Sequence, residues 1–415
     1  MDLGFLKHSK EKESVCDKAE NYKMLDVTKY VVAIFVICIH CNQLFPQEYL
    51  NFFIKNIVCR IAVPFFFISS AFFVRSGSRK NADYVKIYLK RLMKSYCLWS
   101  IVFIPIGLDW IHQNLSLAGY LLPFALLYGL IHIGTYYHLW YVPAAILTIY
   151  LVDRLLKNHS YQKLFVLSIA LFLFGSLESY YGLLPDGWFK DFFDIVIMII
   201  FTTRSGLLYG MIFTLMGFYI YDHKDSLQKI QCYVPSLTLA SALLLILEGS
   251  FLFTIERLDM NFLIMLVPFS FFFFLWILHS PYVPQWETKR LRNLSKYYYF
   301  VHPVCIVIVE EGSRALGLDI LSSGVFSLLV VILLTHLLSS MTLTIQGPLK
   351  ASSLCLAGLS GMMITFMIAS LVFFMKPENI MIKFEFVPCL WFFFSFYTYY
   401  LLNKKRSRQF SVTHI

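Results

Sequence analysis

Long uncharged apolar runs recur along the whole chain, and no other feature limits its fold so strongly. Val31–Ile39, Leu237–Leu247, Phe262–Leu278 and Leu354–Phe374 approach the roughly 20 residues that cross a ~30 Å hydrocarbon layer as a helix. Lipid offers no hydrogen bonds, so such runs must satisfy their own backbone groups, and helices do so. The chain has 415 residues, 58% of them hydrophobic and only 14% charged. A soluble core of that size leaves too much apolar surface in water. The expected fold is therefore all-α, a polytopic membrane bundle of about ten core spans with two more at the C-terminal end.

Spans are expected at about 27–46, 57–74, 94–112, 138–156, 163–181, 204–221, 233–253, 259–279, 295–312, 322–345, 353–375 and 381–402. Segment 116–134 is also apolar, and charge decides against a full crossing. If it lies in the interface or re-enters, about 27 of the 35 basic residues fall on one side, as the positive-inside rule requires of short loops. Both termini are then cytoplasmic in the cell membrane. Three parts follow: a basic tail over 1–26, a membrane unit over 27–345, and two further helices with a basic tail over 346–415. The first 26 residues lack an apolar core followed by a small-residue cleavage site, so the first span is expected to stay inserted.

A net charge of +10 raises the question of nucleic acid, but the basic residues occupy short loops between apolar spans. That serves orientation, and no nucleic-acid partner is expected. The nine cysteines mostly sit in apolar runs and read as small hydrophobes. Cys38 and Cys41 flank His40 without a fourth ligand or a second such pair, so no metal is expected there.

Ionisable groups inside a span are costly and point to a cavity or a partner. The first span, MLDVTKYVVAIFVICIHCNQ, holds Asp26, Lys29 and His40 on one helical face, a stripe of roughly 20 Å. A histidine at that depth suits proton exchange, although a histidine bonded between helices or a snorkelling lysine also fits. The second span, RIAVPFFFISSAFF, starts with Arg60 and carries Pro64, which is expected to break the helix. Arg91 and Lys94 stand one turn apart at the entrance of the third span and suit the phosphates of a soluble cofactor. His138 opens HLWYVPA, where Trp140 and Tyr141 equally fit an interfacial aromatic belt. His302 sits beside Pro303 in SKYYYFVHP. Glu248, Glu310 and Glu311 fall near span ends and fit either a polar acceptor or plain solvation.

The order of LDVTKYVVAIFVICIH, RIAVPFFFISSAFF, YLKRLMKSY, HLWYVPAAIL, TRSGLLYGMIFTLMGFYI and LSKYYYFVHP resembles the acyltransferase-3 family of integral-membrane acyltransferases, over about 27–345. The resemblance implies an O-acetyltransferase that moves an acyl group, usually acetyl, from cytoplasmic acetyl-CoA (acyl-CoA) to a hydroxyl of a cell-surface or exported carbohydrate. The family's basic-X10-His motif matches Lys29 and His40, and its Arg-X2-Arg motif matches Arg91 and Lys94. Lysine stands at two positions where arginine is commoner; it keeps the charge and lacks the bidentate fork. Ser69-Ser70 replaces the family's Ser-Gly. His40, with Lys29 and Asp26, is then the expected catalytic group, as general base or acyl carrier. Arg91, Lys94 and Lys29 are expected to bind the donor, and Arg60, His138, Trp140 and His302 the acceptor. A rival class remains: a membrane transporter of a small solute or glycan intermediate, its path lined by the same buried basic groups.

Overall fold

The computed structural model describes residues 21–114, 122–318, 320, 323–344, 357–358, 360–365, 367–368 and 386–412. Every regular element among the described residues is helical, with no strand. The first helix, α1 (Tyr22–His40), is capped by the Asn21 side chain, which accepts from the Met24 amide at 3.0 Å. The cap satisfies an otherwise orphaned N–H, and the chain turns extended at Cys41. A continuous helix, α2 (Glu48–Lys80), follows. Pro64 does not break it. The irregularity falls one turn earlier, as a π segment over Phe53–Val58 and a 3-10 turn over Cys59–Ile61. Those wider and tighter turns absorb the hydrogen bond that the proline cannot make. They also set the aim of Arg60.

The chain continues through α3 (Tyr84–Asn114), α4 (Leu122–His132), α5 (Tyr141–Leu155), α6 (Tyr161–Ser176) and α7 (Trp188–Ile200). Then come α8 (Gly206–Asp222), α9 (Val234–Phe253), α10 (Leu266–Leu278), α11 (Lys289–Leu316), α12 (Gly324–Thr344) and α13 (Phe386–Val412). The amphipathic helix α7 was not foreseen, because its aromatic and aliphatic residues alternate with Lys190, Asp191 and Asp194. Segment 116–134 contains only the 11-residue α4 in its described part, about 16 Å long and short of a crossing.

Among the described residues, three helices are long and apolar enough to cross a membrane by length and composition: Glu48–Lys80, Val234–Phe253 and Gly324–Leu343. That is fewer than the twelve spans expected. The shortfall has two causes. Helices α5, α6 and α10 have 15, 16 and 13 residues, which rise less than ~30 Å. Helix α11 carries basic residues in its first turns and Glu310, Glu311 and Arg314 in its last. Of the two extra C-terminal spans, α13 is described, whereas most of 353–375 lies outside the described residues. Residues 1–20 of the N-terminal tail do as well.

The core is built from α1 packed on α11, and α2 packed on α8. The second contact is close because Gly217 lies against the backbone of α2; a Cβ there would stand 2.4 Å from the Ile68 carbonyl oxygen. Buried Leu25, Val32, Val36, Phe65, Phe67, Phe72 and Phe213 fill this junction. Alternate loops gather at opposite ends. At one end Asn21 reaches the carbonyls of Ser280 and Tyr282, Lys23 that of Pro284, and Asp222 meets Arg75. At the other end Gly324 donates to the Gln43 carbonyl, Lys55 to that of Cys41, and Tyr49 bonds Ser250.

Candidate functional site

His40 ends α1 in the wall of an open cleft of about 530 Å³, whose lining includes Asn42, Gln43, Lys55, Tyr137 and Glu310. Its ring stacks on His302 with centroids 5.4 Å apart and 22° between planes, and lies 4.8 Å from Tyr137. His302 in turn meets His138 edge-on at 5.5 Å. Three imidazoles from three distant parts of the sequence thus touch in series.

The backbone explains how His302 is held. Pro303 has no N–H to give the carbonyl four residues back, that of Tyr299. Beside that gap the His302 ring bonds the turn: its Nδ1 reaches the Tyr298 carbonyl at 2.9 Å. A carbonyl only accepts, so Nδ1 carries the proton and the Nε2 lone pair is left for other use. That Nε2 is buried without a partner, as are both ring nitrogens of His138. His138 lies in the turn before α5, where its carbonyl accepts from the Tyr299 hydroxyl at 2.6 Å and its ring abuts Phe103 at 4.5 Å.

Two half-buried arginines stand behind the histidines. Arg60 donates to Asn261 at 2.5 Å and to Asn56 at 3.0 Å. Arg204 lies over the Trp140 ring, 5.4 Å from its centroid. Trp140 is buried, which replaces the aromatic-belt reading. The turn bearing Arg204 is fixed by Glu178, which accepts from the Thr203 amide at 2.9 Å and from the hydroxyls of Thr202 and Thr203. Gly206 lets this turn approach Ala144, since a Cβ there would come within 2.9 Å of its carbonyl oxygen. Arg204, Arg60 and Lys55 all act electrostatically on His40.

The structure brings together His40, His138 and His302, with Arg60 and Trp140 behind them. It does not bring Asp26 or Lys29 to His40. Eleven residues of helix separate Lys29 from His40, about 16 Å of rise. Lys29 lies over the Phe73 ring at 4.3 Å, and Asp26 accepts from Thr288 at 3.1 Å and faces Arg292 at 3.7 Å. Arg91 and Lys94 are exposed on α3. Glu248 is not solvated: it accepts from Tyr180 and from the amides of Ile264 and Met265, and so ties α9 to the start of α10. Glu311 pairs with Arg314 at 2.5 Å, whereas Glu310 lines the cleft. Sequence reading missed Arg204, Lys55 and Tyr137. A signal for Arg204 existed, because it lies in the TRSG segment between apolar runs. Lys55 and Tyr137 had none, being ordinary loop-end residues until the fold places them.

Over 331 residues the chain is 30% identical to a serine/alanine racemase of Enterococcus gallinarum, covering 75% of this chain and 45% of that protein. Two amino-acid racemases of Enterococcus faecalis are 31% and 26% identical, over 51% and 79% of this chain and 30% and 47% of theirs. The chain thus spans about half or less of the length of these curated relatives. No solved structure matches it. The family model described as an acyltransferase domain matches residues 22–343, which take in every residue of the histidine cluster and both arginines. The chain carries an acyltransferase domain set in a membrane, and it belongs to the acyltransferase-3 family.

Proposed function

We propose that the protein transfers an acetyl or other acyl group from cytoplasmic acyl-CoA to a hydroxyl of an acceptor, a cell-surface or exported carbohydrate, at His40. The observation that carries this reading is His40 in the wall of an open cleft, stacked on a histidine whose proton is assigned by the Tyr298 carbonyl.

The basic loops orient the bundle with its Lys29 end in the cytoplasm, both termini included, and the His40 cleft outward. Arg91, Lys94 and Lys29 then take the phosphates of the donor. The 16 Å from Lys29 to His40 is comparable with an extended phosphopantetheine arm, so the thioester reaches the histidine while the nucleotide stays at the cytoplasmic face. Asp26, tied to Thr288 and Arg292, holds the lysine end of α1 rather than meeting the reacting atoms. At the cleft, His40 takes the acceptor hydroxyl proton as the new C–O bond forms. The C–S bond breaks, and the proton passes to the departing sulfur. A route through an acyl-histidine uses the same groups. The nitrogen with a free lone pair on His302 stands beside His40 to receive or orient a proton.

A second reading draws support from the relatives named as racemases of amino acids: passage of a small solute, an amino acid, through the same cleft. One experiment separates the two. Proteoliposomes containing the purified chain are given labelled acetyl-CoA with a glycan acceptor, and in parallel labelled serine outside. Acetyl ester formation supports the acyltransferase. Serine flux without any ester hands the case to the transporter.

A further inference from the structure

Arg60 and Arg204 are half-buried and unusual in their bonding. Neither forms an ion pair with a carboxylate among the described residues, and the Nε of each is buried without a hydrogen-bond partner. The nearby acidic groups are committed elsewhere. Asp259 is kept one residue away from Arg60, since Asn261 bonds both of them. Glu178 gives its Oε2 to the Thr202–Thr203 turn. Glu310 stands across the cleft, within electrostatic reach of Cys41 and Tyr137. The two arginines act on each other and both act on Tyr209, so they share one small region. Like charges held together in an interior are costly unless a third group binds them. A guanidinium offers five donors in a rigid fork, and none from the Arg204 side chain is taken by another of the described residues.

We propose that Arg60 and Arg204 form a recognition site for an anionic group, a carboxylate or a phosphate, carried by the hydroxyl-bearing acceptor. The inference rests on the cleft being an acceptor site and names the acceptor's class. The planar forks suit an oxyanion with two free oxygens. Trp140 beneath Arg204 and the Glu178-held turn keep one fork in place, and Asn56 and Asn261 keep the other. Lys55, at the cleft lining, adds a third positive charge on the approach. Neither arginine lines the cleft itself, but both act electrostatically on His40, so an anion held by them lies on the histidine's side of the bundle.

The test uses the purified full-length protein in lipid nanodiscs, without acyl donor, and follows thermal stabilisation and binding of glucuronate, glucose 6-phosphate and glucose. Saturable stabilisation by an anionic sugar, with none from glucose at equal concentration, is expected. The stronger of the two anions tells carboxylate from phosphate. Arg204→Gln should weaken that binding about 10- to 100-fold, the worth of charge-assisted hydrogen bonds. Arg204→Lys, which keeps the charge without the fork, should fall between. The lysine variant carries the comparison if the glutamine one does not accumulate. Equal response to charged and neutral sugars, or unchanged glucuronate binding by Arg204→Gln, overturns the inference. No acyl transfer enters the measurement, so failure of the acyltransferase reading and failure of this one are separate outcomes.

Discussion

At the end of the bundle where α1 begins, the buried carboxylates among the described residues have their partners. Asp26 takes Thr288 and Arg292, Asn21 takes two carbonyls, and Asp222 is gripped by Arg75, Arg79 and Tyr161. At the end where α1 stops, three histidines touch. One of them has both ring nitrogens unpartnered, and two arginines keep donors in reserve. Both ends are rich in charged and polar residues, and residue type alone does not separate them. Completeness of hydrogen bonding does. A satisfied polar network fixes helices to one another, whereas buried orphans are a standing cost that a bound substrate can relieve.

The largest expected effect tests the open end. His40→Gln keeps a hydrogen-bonding side chain of similar reach and removes the titrating nitrogen. Acyl transfer in membranes should fall about 10²- to 10⁴-fold, the usual worth of a positioned base, while the melting temperature stays near that of the parent. A well-folded variant with normal turnover would show that the open end is not where the chemistry occurs.

Next in size is a test of the closed end. Burial pushes the Asp222 carboxyl up, but the hydrogen bonds from Arg75, Arg79 and Tyr161 outweigh it and hold it down to about 2. The ordinary value is ~3.9. Because the folded value is the lower one, this stabilisation is complete above about pH 4 and is lost as pH falls through 2. From pH 8 to 5 the closed end should therefore show no loss. Asp222→Asn, which leaves the half-buried Arg75 without its counter-charge, should cost about 2–3 kcal/mol, read as a lower melting temperature. If the variant melted normally, complete bonding would not be what secures this end.

How much of this was legible beforehand follows from the same contrast. The all-helical fold and the family were readable, because apolar runs and the ordered motif segments are local in sequence. The meeting of His40 with His138 and His302 was not: the three lie 98 to 262 positions apart, and only tertiary packing joins them. Arg204 was passed over because a lone arginine before an apolar helix looks like any topology signal. Pro64 misled for the opposite reason. A proline in an apolar run predicts a break, but a π turn upstream accommodates it. The number of crossings also stayed beyond reach, since α5, α6 and α10 are shorter than a bilayer is thick.

A smaller effect asks whether Asp26 belongs with the closed end, as its bonds suggest, or with the catalytic group at the far end of its helix. Asp26→Asn retains an acceptor for Thr288 and loses attraction to Arg292, which is about half exposed at 46%. Stability should drop by about 1 kcal/mol, with turnover within about threefold of the parent, too little for a proton-transfer role. Loss of turnover in a protein that still melts normally would join Asp26 to the site.

The smallest expected effect concerns Arg91 and Lys94, which sit at the closed end by position but share neither its burial nor its bonding. Both are exposed on α3, so removing them disturbs no packing, and stability of the double Ala variant should stay within about 0.5 kcal/mol. Any role must be electrostatic and toward something outside the protein. Exposed charge pairs are worth under about 1 kcal/mol each. Acyl-CoA binding should therefore weaken only about tenfold, far less than His40→Gln costs in rate. Salt supplies the sharper readout. At 0.15 M the screening length is about 8 Å, so donor affinity of the parent should fall as salt rises, and that of the double variant should fall less steeply. Identical affinity and identical salt dependence would mean that these two residues only orient the helix, and that the donor phosphates are met by Lys29 or elsewhere. The closed end would then be structural throughout.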